Sequence, residues 1–171
     1  MNGFWRTARL VVSVVVLIAA SYYVVVAVNN VTNPASNWVF VKGVMSLQGV
    51  PAGSGFGWRA ITATPLQIAV YVAIVAGEAT AAALLAVGGV IGLRRRAAHT
   101  EWLSSQRWTL LGCGVGLAVF FFGFMVLGGN WWVMYLNGKW NGLDAAFQNS
   151  TLTFLTLVAV IGVAIGGGRE E

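Results

Sequence analysis

Four long apolar runs decide what this chain can fold into. Ala8 to Val28 opens on Arg9 and carries no further charge, and Leu66 to Leu93 is broken only by Glu78. Trp108 to Leu127 follows Arg107 and ends at Gly128 and Gly129, and Ala145 to Ile165 runs into three glycines and Arg169. At a rise of about 1.5 Å per residue, about 20 apolar residues cross a hydrocarbon core about 30 Å thick. Each run meets that length. Of 171 residues, 58% are hydrophobic and only 9% charged, against roughly a quarter charged in soluble domains. So small a chain has no interior that would hide this much apolar surface from water. The expected fold is all-α: one transmembrane domain over residues 1–171, a four-helix bundle with spans at about 8–28, 66–93, 108–127 and 145–165. The first run follows Arg6 and resembles a signal peptide, but it exceeds the usual hydrophobic region of about 7–15 residues and no small-x-small cleavage site follows, so it reads as a retained span.

Lys and Arg concentrate on cytoplasmic flanks. Arg6, Arg9, Arg94, Arg95, Arg96, Arg107 and Arg169 fall on one side of the four runs, and Lys42, Arg59 and Lys139 on the other. Both termini are therefore expected in the cytoplasm. Aromatic belts fit the same frame, with Trp58, Trp131, Trp132, Tyr135 and Trp140 near the outer interface and Trp5, Trp102 and Trp108 near the inner one. The net charge of +5 comes from these flanks. No basic stripe interleaved with aromatics suggests a path for nucleic acid. Cys113 is the only cysteine, so no intrachain disulfide can form. The only histidine, His99, lies in a polar connector where solvation is expected, and bis-histidine haem ligation is unavailable to the chain alone. No cofactor or metal is expected.

Small residues four apart let helix backbones approach in lipid. Gly88 and Gly92, Gly112 and Gly116, Gly162 and Gly166, and Ala79 and Ala83 have that spacing and support a compact bundle. The outer connections carry more information. Asn33-Pro34 has the cap and first-turn chemistry of a helix start. Trp38, Val41, Val44, Met45 and Gln48 follow at helical spacing, which predicts a short helix on the membrane surface. Gly49 to Gly57, around Pro51, is expected to be a loop. Asn137-Gly138 within WWVMYLNGKW is a tight-turn signal that predicts a small hairpin. Asn141 and Asp144 have the spacing of a capping box opening the fourth span.

Glu78 is the most informative single residue. It lies about 18 Å along the helix from Leu66 at 1.5 Å per residue, close to the middle of the core. A carboxylate at that depth costs at least about 2.5–3.5 kcal/mol, so it should face the bundle, neutral or paired. Gln67, Tyr71 and Glu78 share a helical face, a polar stripe from the outer surface to the midplane. Asn149, Thr153 and Thr156 repeat the pattern in the fourth span. With Tyr22 and Ser21 of the first span, the two stripes would bound a polar cleft open to the outside, with Arg59 at its mouth. The competing structural reading is that these groups satisfy one another as interhelical glue, at about 0.6–2 kcal/mol per contact. The aromatic outer segment, Trp58, Trp131, Trp132, Trp140 and Asn141, suits interfacial anchoring, and Arg94 to Arg96 suits anionic headgroups.

Several of these pieces, in order, resemble a family of predicted small bacterial integral membrane proteins of unknown function, DUF2165. They are Trp58-Arg59-Ala60-Ile61-Thr62, Glu78-Ala79, Gly128-Gly129-Asn130-Trp131-Trp132, and Trp140-Asn141-Gly142 with Ala146-Phe147. The resemblance runs from Asn37 to about Val163. It implies a four-helix protein of the bacterial inner membrane and brings no activity, substrate or catalytic residue. Tyr135 stands where the resemblance leads us to expect Trp, and Gly77 where a bulkier residue is expected, which implies looser packing around Glu78.

No nucleophile-base pair, phosphate-binding loop or metal cluster is visible, so an enzyme is the weaker class. The first reading is a non-enzymatic membrane protein. It would be an accessory or assembly subunit of a membrane complex, or a binder of a small hydrophobic ligand in the outer cleft. The second is a small oligomeric transporter or proton-coupled carrier using Glu78, and the third a membrane enzyme acting on lipid or quinone. The partners implied are the lipid bilayer and either other subunits of a membrane complex or further copies of the chain.

Overall fold

The computed structural model describes residues 3–168, so Arg169, counted above among the flanking charges, lies outside the described residues. Five α-helices are present: α1 (Gly3–Thr32), α2 (Pro34–Met45), α3 (Thr64–Arg95), α4 (His99–Leu117) and α5 (Leu143–Gly167). α4 runs on without a break into a π-wound segment, Ala118–Trp131, and single 3₁₀ turns occupy Gly57–Arg59 and Met134–Leu136. α1, α3, α4 with its π continuation, and α5 are each long and apolar enough to cross a membrane. All four extend past the predicted spans, because a helix has no reason to stop where its side chains turn polar.

α3 packs along α1 on one side and α4 on the other, and α5 closes the bundle against α1, α4 and the π segment. The core is built from Val12, Val16, Ala20, Tyr23, Ala81, Ala82, Leu85, Trp102, Cys113, Phe120 and Val160. Val25, Leu66, Val72, Phe121, Phe154 and Ile165 point outward and are exposed, the surface a lipid solvent requires. Glycines set the α3–α4 approach. A Cβ at Gly88 would lie 2.8 Å from the Thr109 backbone nitrogen, and one at Gly112 3.0 Å from that of Leu85, so the two backbones interlock where side chains are missing. Ala79 and Ala83 are exposed and take no part in this packing.

At the end of the bundle that carries both described termini, Arg9 and His99 depart from the sequence expectation. Arg9 is only 1% exposed. Its Nε donates to the Arg96 carbonyl at 2.9 Å, and its Nη1 faces His99 Nδ1 at 3.4 Å. The guanidinium thus caps the carbonyl end of α3, where the helix dipole favours a cation. His99 is buried rather than solvated: its ring stacks on buried Trp102, whose Nε1 donates to Ser13 Oγ at 3.1 Å. A three-residue connector holds α3 and α4 so close that no room is left for a hydrated histidine.

At the opposite, loop end, α2 starts at Pro34 as expected, although the Asn33 side chain makes no capping bond and Gln48 lies beyond the helix. Val41, Val44 and Met45 of α2 are buried. The glycine loop is present, with Gly49, Gly53 and Gly55 at positive φ. The predicted hairpin is absent. No strand forms among the described residues, and Gly138 has no positive φ for a hairpin turn. Instead the Asn137 side chain organises the segment. Its Oδ1 accepts from the Lys139 and Trp140 backbone N–H groups, while its Nδ2 donates to Gln48 O at 2.7 Å, clasping the two loops. α5 is capped by Gly142, not by a box: Asn141 Oδ1 accepts from Leu143 N at 3.1 Å, and Asp144 sits in the first turn.

Candidate functional site

Asn30 is the residue around which the site is built. It lies in the last turn of α1, where a carbonyl has no intrahelical partner unless the residue four further on still donates to it. That residue is Pro34, which has no N–H to give. The orphaned Asn30 carbonyl accepts from the Tyr71 hydroxyl at 2.7 Å instead, and the Asn30 side-chain Nδ2 donates to Glu78 Oε2 at 2.5 Å. One residue of α1 therefore holds two predicted site residues of α3. Sequence reasoning missed it because the apolar run was ended at Val28. The available signal was the Asn29-Asn30 pair one helical turn before a proline.

Glu78 is 2% exposed, deep in the bundle as its cost in lipid requires. Its Oε1 accepts no hydrogen bond among the described residues. It lines a cleft of about 250 Å³. α1 supplies Val26 and Asn30, α2 forms the roof with Asn37, Phe40 and Val41, and Phe120 and Phe124 of the π segment form the far wall. The first turn of α5 completes the lining with Ala145 and Ala146. Phe40 stacks on Phe124 with ring centroids 6.3 Å apart and meets the edge of Trp140. π windings are rare and concentrate at functional sites; here one shapes the wall opposite Glu78. Packing beside the carboxyl is not loosened by Gly77, since a Cβ there would lie 2.5 Å from Val119 Cγ2. Valine is stiff, so glycine is what lets α3 and the π segment touch.

The other sequence-predicted residues divide among separate places. Gln67 is buried near the start of α3, where its Nε2 donates to Ser46 Oγ at 2.8 Å and Ile61 O at 2.7 Å, tying the α2–α3 connection down. The stripe on α5 meets α1 rather than Glu78: Tyr22 OH donates to Asn149 Oδ1, and Tyr23 OH pairs with Thr153 Oγ1 at 2.7 Å. Thr156 bonds back to Leu152 O, and Ser21 to Ile18 O. Tyr22, Asn149, Thr153 and Thr156 line their own groove of about 220 Å³. The single cleft expected from two facing stripes is thus two.

Arg59 does not line the Glu78 cleft. It donates to the Asn130 and Trp131 carbonyls at 3.2 and 3.3 Å, and its guanidinium lies over the rings of Phe56, Trp58 and Trp131. It caps the π segment and gathers the aromatics of the loop end. Trp58, 71% exposed, meets Trp131 edge to face at 5.6 Å. Trp132 lies at the inner side of the same motif, beside Phe40 and Met134. Gly43 lies directly under Trp140.

No curated protein and no solved structure matches this chain. The family model for predicted small integral membrane proteins matches residues 8–162, from the start of α1 to near the end of α5. With four candidate spans and that match over most of its length, the chain belongs to the DUF2165 family of small integral membrane proteins.

Proposed function

We propose that this protein is a non-enzymatic component of the bacterial inner membrane that binds a small, mostly apolar ligand in the Glu78 cleft, both termini facing the cytoplasm. One observation carries the reading. A mid-helix carboxyl, expensive in lipid, has one oxygen held by Asn30 and the other without a hydrogen-bond partner, beside a cleft otherwise dominated by apolar and aromatic side chains. The unpaired oxygen is not sealed off in the core, so a donor entering the cleft can reach it. Apolar walls with a few placed polar groups are the usual make-up of small-molecule sites. The orientation is supported by the charges: Arg6, Arg94 to Arg96 and Arg107 lie at the end carrying the termini, and Lys42, Arg59 and Lys139 at the loop end.

The test is purification of the full chain in mild detergent followed by native mass spectrometry. A bound small molecule is expected in the wild type and its loss in Glu78→Leu. An empty wild type, with Glu78→Leu unchanged in any cellular phenotype, would sink the reading. Orientation is checked with a reporter active only in the cytoplasm, which should work at either terminus and at positions 97–106 and fail at Gly53 and Gly138. A proton-coupled carrier is the second reading, favoured by the same unpaired oxygen. It predicts that Glu78→Gln inserts normally but fails to complement a deletion strain in a manner that depends on external pH. Full complementation at every pH excludes it.

A further inference from the structure

We infer that the ligand of the Glu78 cleft is dissolved in the bilayer and reaches the site sideways, between α1 and α3, through a gap closed by Tyr71. This rests on the reading of the cleft as a ligand site and adds where the ligand comes from.

A second groove of about 300 Å³ lies on the outer surface of the same two helices. Its lining includes Val31, Val72, Val75 and Ala79, together with Asn30 and Tyr71. Val31 and Val72 are 65% and 55% exposed, so this groove opens onto the lipid-facing surface. Asn30 and Tyr71 also line the Glu78 cleft. Asn30 and Tyr71 therefore stand between the lipid-side groove and the cleft, joined by the hydrogen bond from the Tyr71 hydroxyl to the Asn30 carbonyl. Trp38 of α2 meets the Tyr71 ring edge at 6.2 Å and steadies it from above.

The partition can open without unwinding a helix. Because Pro34 donates no N–H, the Asn30 carbonyl stands outside the α1 hydrogen-bond ladder, so the Tyr71 hydroxyl can leave it with α1 intact, the vacated carbonyl being left for the polar group of an entering ligand. A rotation of one tyrosine breaks one neutral hydrogen bond and leaves the helix–helix core intact. Toward the loop end the cleft is lined by Phe40 and Val41 of α2, with Phe40 packed against Phe124 and Trp140. The chemical class follows: an apolar body that partitions into hydrocarbon, carrying one hydrogen-bonding group for Glu78 and Asn30.

The experiment uses the full chain in lipid nanodiscs and dicyclohexylcarbodiimide, an apolar reagent that dissolves in the bilayer and couples to carboxyl groups. Labelling of Glu78 is followed by peptide mass spectrometry at pH 5 and pH 8. The wild type should be labelled at Glu78. Tyr71→Phe should speed labelling about threefold to eighteenfold, the range that loss of one interhelical hydrogen bond gives. Val75→Trp, which fills the lipid-side groove, should slow it by a similar factor. A charged, water-soluble carbodiimide should be indifferent to the groove substitution. Equal rates in wild type, Tyr71→Phe and Val75→Trp would overturn the lateral route while leaving the cleft, tested separately by the bound molecule, untouched. Failure to label Glu78 in wild type and Tyr71→Phe at both pH values would overturn it as well, since no apolar molecule then crosses the partition.

Discussion

Removing Asn30 tests whether one residue of α1 joins Tyr71 and Glu78 as described. Asn30→Ala keeps the backbone carbonyl that Tyr71 uses but deletes the Nδ2 donor to Glu78 Oε2. A buried acceptor left without its partner costs about 1–3 kcal/mol, and Glu78, at 2% exposure, has little direct access to water. Interhelical hydrogen bonds measured by double-mutant cycles in a membrane protein average about 0.6 kcal/mol and reach about 1.7. The cycle of Asn30→Ala, Glu78→Ala and the double variant should therefore give a coupling of about 0.6–1.7 kcal/mol. The double variant should be less destabilised than the sum of the singles. The assay is reversible unfolding by SDS in mixed micelles, followed by far-UV circular dichroism. Asn30→Ala combined with Ser13→Ala, whose hydroxyl sits at the opposite end beside Trp102, supplies the additive reference. Additivity of Asn30→Ala and Glu78→Ala within about 0.3–0.5 kcal/mol, as for independent sites, would refute the account of the site.

Three further outcomes are expected. Gly77→Leu should overpack the α3 contact with Val119 and lower stability by about 1–3 kcal/mol, with partial rescue by Val119→Ala in detergent melting curves; wild-type stability would mean the helices do not touch there. Trp102→Phe, which loses the bond to Ser13 and leaves part of the indole volume empty, should cost about 1–3 kcal/mol, whereas Trp102→Ala should cost about 3–5 kcal/mol, read in the same unfolding assay. Asn137→Ala should raise hydrogen exchange at residues 46–50 and 137–140 together, because the Asn137 amide bonds both loops; faster exchange in one loop alone would contradict the clasp.

The spans were legible because apolar length is a one-dimensional signal, and Glu78 was legible because its cost in lipid forces it inward. The partner of Glu78 was not. Asn30 sits in what composition marks as a connector, and only helix continuation to Thr32 brings it beside α3. Pairing between stripes was also out of reach: the helical face of Asn149 and Thr153 is right, but which neighbour that face meets depends on the order of helices around the bundle. Asn137-Gly138 misled for a different reason. The pair suits a two-residue hairpin turn, but here the asparagine amide is occupied by Gln48 and by two backbone N–H groups of its own segment.

The burial of Arg9 has a consequence for how the chain is put together over time. The groups that face its guanidinium, the carbonyls of Arg96 and Ala97 and the ring of His99, are synthesised only after two further helices have emerged. Until then the guanidinium, at the flank of the first span, has water and headgroups as its partners. Arrival of the α3 carbonyl end supplies the protein acceptors and takes Arg9 out of solvent. A nascent chain released after α2 would keep Arg9 open to water-soluble arginine reagents, and one released after α4 would have sealed it.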